Sequence, residues 1–105
     1  MDLAKQLNYV SKKLAKYRGK IGEAKEIGLY TRDASKVEDR VRKIWKLERK
    51  ARAVVKKLPP TERRLEVTKA YSEIHREGEA AVKNLLDFRA ELLLANLSPS
   101  LRAEG

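Results

Sequence analysis

Residues 67–95 read VTKAYSEIHREGEAAVKNLLDFRAELLLA. Taken at steps of four and three, they give Val67, Tyr71, Ile74, Gly78, Ala81, Leu85, Phe88, Leu92 and Ala95. The alternation does not fail once. A helix turns every 3.6 residues, so apolar or small residues at this spacing fall on one side and mark a packing seam. Nothing in the stretch alternates with period two, as a half-buried strand would.

The same rhythm runs through the two segments before it. Leu3, Leu7, Val10, Leu14, Tyr17, Ile21, Ala24 and Gly28 form a seam in the first. The spacing predicts a helix over about 2–29. Gly19 and Gly22 lie off that seam, and a break at YRGKIG is the alternative. In the second, Val37, Val41, Ile44, Leu47, Ala51, Val54 or Val55, and Leu58 predict a helix over about 35–58. Its register shifts near Leu47, because a strict heptad would put Glu48 on the seam.

The connections are short. Gly28 suits a helix C-terminus. Ser35 and Glu38 make a capping box, with Asp33 as a competing cap. Pro59 and Pro60 stop the second helix, since proline lacks an amide hydrogen and biases the residue before it away from helical angles. Thr61 then reads as the cap of a third helix over about 61–97. Short links force neighbours antiparallel. The expected fold is therefore all-α: one elongated antiparallel three-helix bundle over residues 1–97, followed by a flexible tail at 98–105. Leu14, Tyr17, Ile44, Ile74, Leu85 and Phe88 are its expected core.

Composition narrows the chemistry. At 105 residues, 42% hydrophobic, the chain can fill one core. It has no cysteine, which excludes disulfides, zinc-thiolate sites and thiol nucleophiles. No apolar run approaches the roughly 20 residues of a membrane span, and Lys5, Lys12 and Lys13 interrupt any secretory leader. A cytoplasmic protein with no membrane role is the expectation. Many ions and few amides suggest a heat-adapted source.

No enzyme is expected, and no metal or cofactor. His75, the only histidine, reads as a surface or boundary residue. A di-metal Glu-x-x-His pair would need an acid where Ser72 stands. Glu73 and Glu77 share a helix face, but on so charged a helix they read as partners of Arg76 or Lys69.

The informative feature is charge. The net is +10, and residues 32–64 alone hold thirteen basic side chains against five acidic. On a helical wheel Arg42, Lys43, Lys46, Arg49, Lys50, Lys56 and Lys57 lie opposite the seam of the second helix, with no acid among them after Asp39. Glu48, nearer the seam, is placed to pair with Arg52. A solvated face would mix signs. A one-signed stripe repels itself and fits a polyanion instead. Arg42, Arg49 and Arg52 offer forked donors. Trp45, at the edge of the stripe, either stacks on a base or covers the core rim. The expected partner is RNA or DNA backbone, bound without sequence readout. The alternative is a scaffold bundle for a protein partner, acidic or otherwise.

A second stripe on the third helix, Val82, Leu86, Ala90, Leu93 and Leu97, with Leu94 beside it, exceeds what one seam needs. It predicts a homodimer through that end, or a fold-back of Leu101.

Overall fold

A computed structural model of the chain describes residues 2–97. Three helices, α1 (Leu3–Tyr30), α2 (Ala34–Lys56) and α3 (Leu65–Leu97), each pack against the other two. The bundle runs up, down and up, several times longer than it is wide. Among the described residues there is no strand. The expected tail at 98–105 and any docking of Leu101 lie outside the described residues.

α1 is continuous through Gly19 and Gly22, so the alternative break does not occur. Both glycines face open space: a Cβ built on either meets nothing within 4 Å. Their low helix propensity is outweighed by the seam, which buries Val10, Leu14, Ile21, Ala24 and Gly28. Gly28 lies in the last turn of α1, on the seam as expected, and does not itself form the cap. It has an ordinary helical neighbourhood and no positive φ; α1 continues to Tyr30, and extended Thr31 follows. The use of Gly28 is close packing. A Cβ there would lie 2.5 Å from Leu85 Cδ2 and 3.3 Å from Arg40 Cβ.

The α1–α2 link is three residues long. Asp33 caps α2: its carboxylate accepts from the Ser35 amide at 2.9 Å and from the Ser35 hydroxyl at 2.8 Å. The expected Ser35–Glu38 box does not form, because Glu38 turns to α3 and takes a hydrogen bond from Arg89 Nε. Asp33 therefore wins the competition between the two caps, and the Ser35 hydroxyl bond is the chief reason its carboxyl sits below the ordinary range.

Pro59 and Pro60 stop α2, as the sequence predicts, but Thr61 does not cap α3. Residues Pro60–Glu62 form a single 3-10 turn, and Arg63 is extended. The Arg63 Nε donates to the Leu58 carbonyl at 3.0 Å, which holds this turn against the end of α2. α3 opens four residues later than expected, with the Arg64 carbonyl accepting from the Val67 and Thr68 amides, each at 3.1 Å.

The core follows the three seams. Leu14, Ile44, Leu58, Ile74 and Leu85 are fully buried. Tyr17 and Phe88 are not: they are half-buried and pack on the rim of the cluster. Val82 is the reverse case, expected on an outer stripe but only 8% exposed and part of the core.

α1 and α3 are clamped by a further device. Arg18 donates to Glu77 through Nε at 2.9 Å and Nη2 at 2.6 Å, and to Glu73 through Nη1 at 3.3 Å. Glu73 and Glu77 thus reach across to another helix rather than to Arg76 or Lys69 on their own.

Candidate nucleic-acid interface

α2 presents its cations to solvent. Arg42, Lys43, Lys46, Arg49, Lys50, Arg52, Lys56 and Lys57 are all exposed. The helix explains the array: burying Val37, Val41, Ile44, Leu47, Ala51 and Val54 on one side leaves the remaining positions outside. Among the described residues, Arg42 is the member of this set with an ion-pair partner, Asp39 at 2.5 Å. The others have no ion pair among the described residues, and an exposed pair would contribute little in any case.

At about 100° per residue the stripe resolves into rows. Lys43, Lys50 and Lys57 stand seven residues apart and form the row beside α1. Arg42, Arg49 and Lys56 form the next row outward. Lys46 lies between them. Arg52 and Trp45 stand toward α3.

The anticipated pair between Glu48 and Arg52 is absent from the ion pairs of the described residues. Glu48 instead turns inward. Its Oε1 is sealed from water with no hydrogen-bond partner, and burial pushes its carboxyl above the ordinary value, aided by Glu79 and opposed by His75. The seam residue that admits it is Gly78, where a Cβ would fall 1.8 Å from Glu48 Oε1. His75 itself is exposed, 3.0 Å from Glu79 and stacked on Tyr71 with ring centroids 6.5 Å apart.

Trp45 is 45% exposed. It shares a shallow cleft of about 170 Å³ with Glu38, Val41, Arg42, Leu86 and Arg89. One side of the indole therefore covers the α2–α3 rim, and the rest is open beside Arg42.

The periodicity of the sequence places the basic surface on α2 alone. The structure extends it. Tyr9 on α1 lies under two cations: Lys13 Nζ and Lys57 Nζ are each 5.7 Å from the centre of its ring. The Lys43–Lys50–Lys57 row thus meets α1 at Tyr9, where Lys13 adds a second cation; Lys20, seven residues after Lys13, falls on the same face of α1 by helical periodicity. The count of lysines in residues 1–31 was visible in the sequence; their placement beside α2 required the register between helices.

At the far end of α3, Leu86, Leu93, Leu94 and Leu97 are exposed, Leu94 at 66% and Leu97 at 79%. Gly28, two residues before the end of α1, lies against Leu85, twelve before the end of α3. α3 therefore runs past α1 by about ten residues, roughly 15 Å. Ile27, Leu29 and Tyr30 add exposed apolar surface at the same end.

Among the described residues no helix is long and apolar enough to cross a membrane, and no three potential ligands gather as a metal site. Comparison with protein-family models, with curated proteins and with solved structures finds no match to this chain.

Proposed function

We propose that this protein is a non-enzymatic, nucleic-acid-binding helical bundle that holds the backbone of RNA or DNA, alone or within a ribonucleoprotein, along the basic face of α2. One observation carries this reading: the exposed cations of α2 form a continuous, one-signed array in which only Arg42 is ion-paired among the described residues. Such an array does not help the helix, because like charges three and four residues apart repel. It does suit a ligand with regularly spaced anions, which releases counterions on binding. The lysines act as point charges and the arginines as forks toward phosphate oxygens. A surface of this kind contacts phosphates and not base edges, so little sequence preference is expected.

Self-association completes the reading. The exposed leucines at the end of α3 form a surface that a second copy covers in a two-fold pair. Two basic faces in one particle would then raise avidity for a long polyanion. The same leucines also support a second reading, a scaffold bundle that binds another protein there and has no nucleic-acid role.

Binding separates the two. Fluorescence anisotropy with labelled RNA and DNA at low salt should register an affinity that Lys46→Glu/Arg49→Glu/Lys50→Glu abolishes while circular dichroism stays unchanged. Wild-type protein that binds neither polymer at low salt leaves the scaffold reading.

A further inference from the structure

The end of the bundle opposite the leucine patch holds a cleft of about 430 Å³ between the first turns of α1 and the two residues that follow α2. Its walls are Gln6, Tyr9, Val10, Lys57 and Leu58. Val10 and Leu58 are core residues, 2% and 1% exposed, so the floor is apolar and tightly packed. Tyr9 is 43% exposed and offers part of its ring to the opening. Lys13, one turn along α1, and Lys57, which caps α2, bring their ammonium groups to that ring. Gln6 adds an amide that can donate and accept.

Resting on the nucleic-acid reading above, we infer that this cleft is a stacking subsite for one unpaired base of a single-stranded RNA or DNA. Tyr9 supplies the π face, and Lys13 and Lys57 bind the phosphates on either side. Each part answers one part of a nucleotide. An apolar floor beside an aromatic wall takes a planar base, whichever base it is. Two ammonium groups whose partner among the described residues is the electron-rich face of a phenol exchange that weak partner for a phosphate. The cleft volume lies in the range of sites that enclose small ligands. Lys57 is also the last member of the Lys43–Lys50–Lys57 row, so a strand lying along α2 ends at the cleft.

The choice of single strand over duplex follows from access. In a duplex the base faces are already stacked on their neighbours. Only an unpaired base can enter the cleft and lie on Tyr9. A duplex can still reach the cations of α2. The subsite therefore adds a preference for single strands to a surface that is otherwise indifferent.

The test compares a labelled single-stranded oligonucleotide with its own duplex, in RNA and DNA versions, against wild type, Tyr9→Ala, Tyr9→Phe and Lys13→Gln/Lys57→Gln. Wild type should prefer the single strand. Tyr9→Ala should weaken that binding by about tenfold and leave the duplex within about twofold. Tyr9→Phe keeps the ring and should keep the preference. Lys13→Gln/Lys57→Gln should weaken both, the single strand more. The RNA and DNA arms identify which polymer fits better. Tyr9 lies outside the core, and circular dichroism verifies that each variant is folded. Binding of both forms with Tyr9→Ala indistinguishable from wild type would overturn the stacking subsite and leave the basic face standing. Failure of wild type to bind either form would remove both.

Discussion

The carboxylate of Glu48 lies against Gly78 so closely that a single added methyl carbon would stand 1.8 Å from its Oε1. That oxygen is buried without a hydrogen-bond partner. The sign of its effect on stability follows from its pKa. Burial raises the value in the folded protein above that of the unfolded chain. The charged form therefore opposes folding at neutral pH, and the penalty is relieved as the pH falls through the raised carboxylate range. Glu48→Met fills the same place without charge. Its melting temperature at neutral pH should exceed that of wild type, and the difference should shrink in acid. A variant equal to or less stable than wild type at neutral pH would show that Glu48 is compensated.

The glycines divide by what surrounds them. Gly19 and Gly22 face open space inside a helix. Gly19→Ala and Gly22→Ala should each stabilise by roughly 0.5–1 kcal/mol, from helix propensity alone. Gly28→Ala should do the opposite. Its Cβ would press on Leu85, which is fully buried, and on Arg40 Cβ. Overpacking of this kind costs about 1–3 kcal/mol. Urea denaturation of the three variants should give opposite signs.

Core truncations should follow the observed burial. Leu85→Ala should cost about 2–5 kcal/mol, the range for a leucine removed from a closed core. Phe88 keeps part of its ring in water, so Phe88→Ala should fall below the roughly 3–5 kcal/mol of a fully buried phenylalanine. Chemical denaturation that ranks Phe88→Ala as the more damaging would mean that the rim carries more of the packing than its exposure implies.

The three seams were legible in the sequence because each helix reports its own buried face through its own periodicity. That is why Leu14, Ile44, Ile74 and Leu85 were found from spacing alone. What one helix presents to another depends on the axial register between them, which no spacing reports. Arg18 meeting Glu73 and Glu77, Glu38 meeting Arg89, and Lys57 meeting Tyr9 all belong to this class. Gly28 looked like a helix terminus because glycine serves both ends and close approaches; only its neighbour Leu85 decides between them. The start of α3 was displaced by the Pro59–Pro60 pair, whose second ring opens a 3-10 turn that Thr61 alone does not reveal. The basic face of α2 was readable as a surface. Its continuation onto α1 was not.

Salt dependence gives the proposed interface a quantitative form. If the rows of α2 neutralise about five phosphates, the logarithm of affinity should fall against the logarithm of salt with a slope of roughly −3.5 to −4.5. The lower magnitude applies to single strands and the higher to duplex DNA. Lys50→Gln removes one point charge from the row beside α1 and should reduce the slope by roughly one, whatever the sequence bound. A slope near zero would mean that contacts other than phosphate dominate, which the composition of α2 does not supply.

The leucine end makes a prediction independent of any nucleic acid. Leu93, Leu94 and Leu97 lie on the part of α3 that runs past α1, and all are exposed. Leu86 extends this surface toward Trp45. Val82 lies in the core and contributes nothing to it. A two-fold pairing through Leu93 and Leu97 would bury apolar surface at an end where the bundle has only one helix layer. It would leave the cations of α2, including Lys46 and Lys50, free on both copies. Light scattering at tens of micromolar is expected to report a dimer. Leu93→Lys/Leu97→Lys should convert it to a monomer of unchanged helicity, because neither side chain belongs to the buried core. Loss of avidity for a long polyanion should accompany that conversion, with little change for a short one. A wild-type monomer at the same concentration would rule out the pairing and leave this end to a different partner.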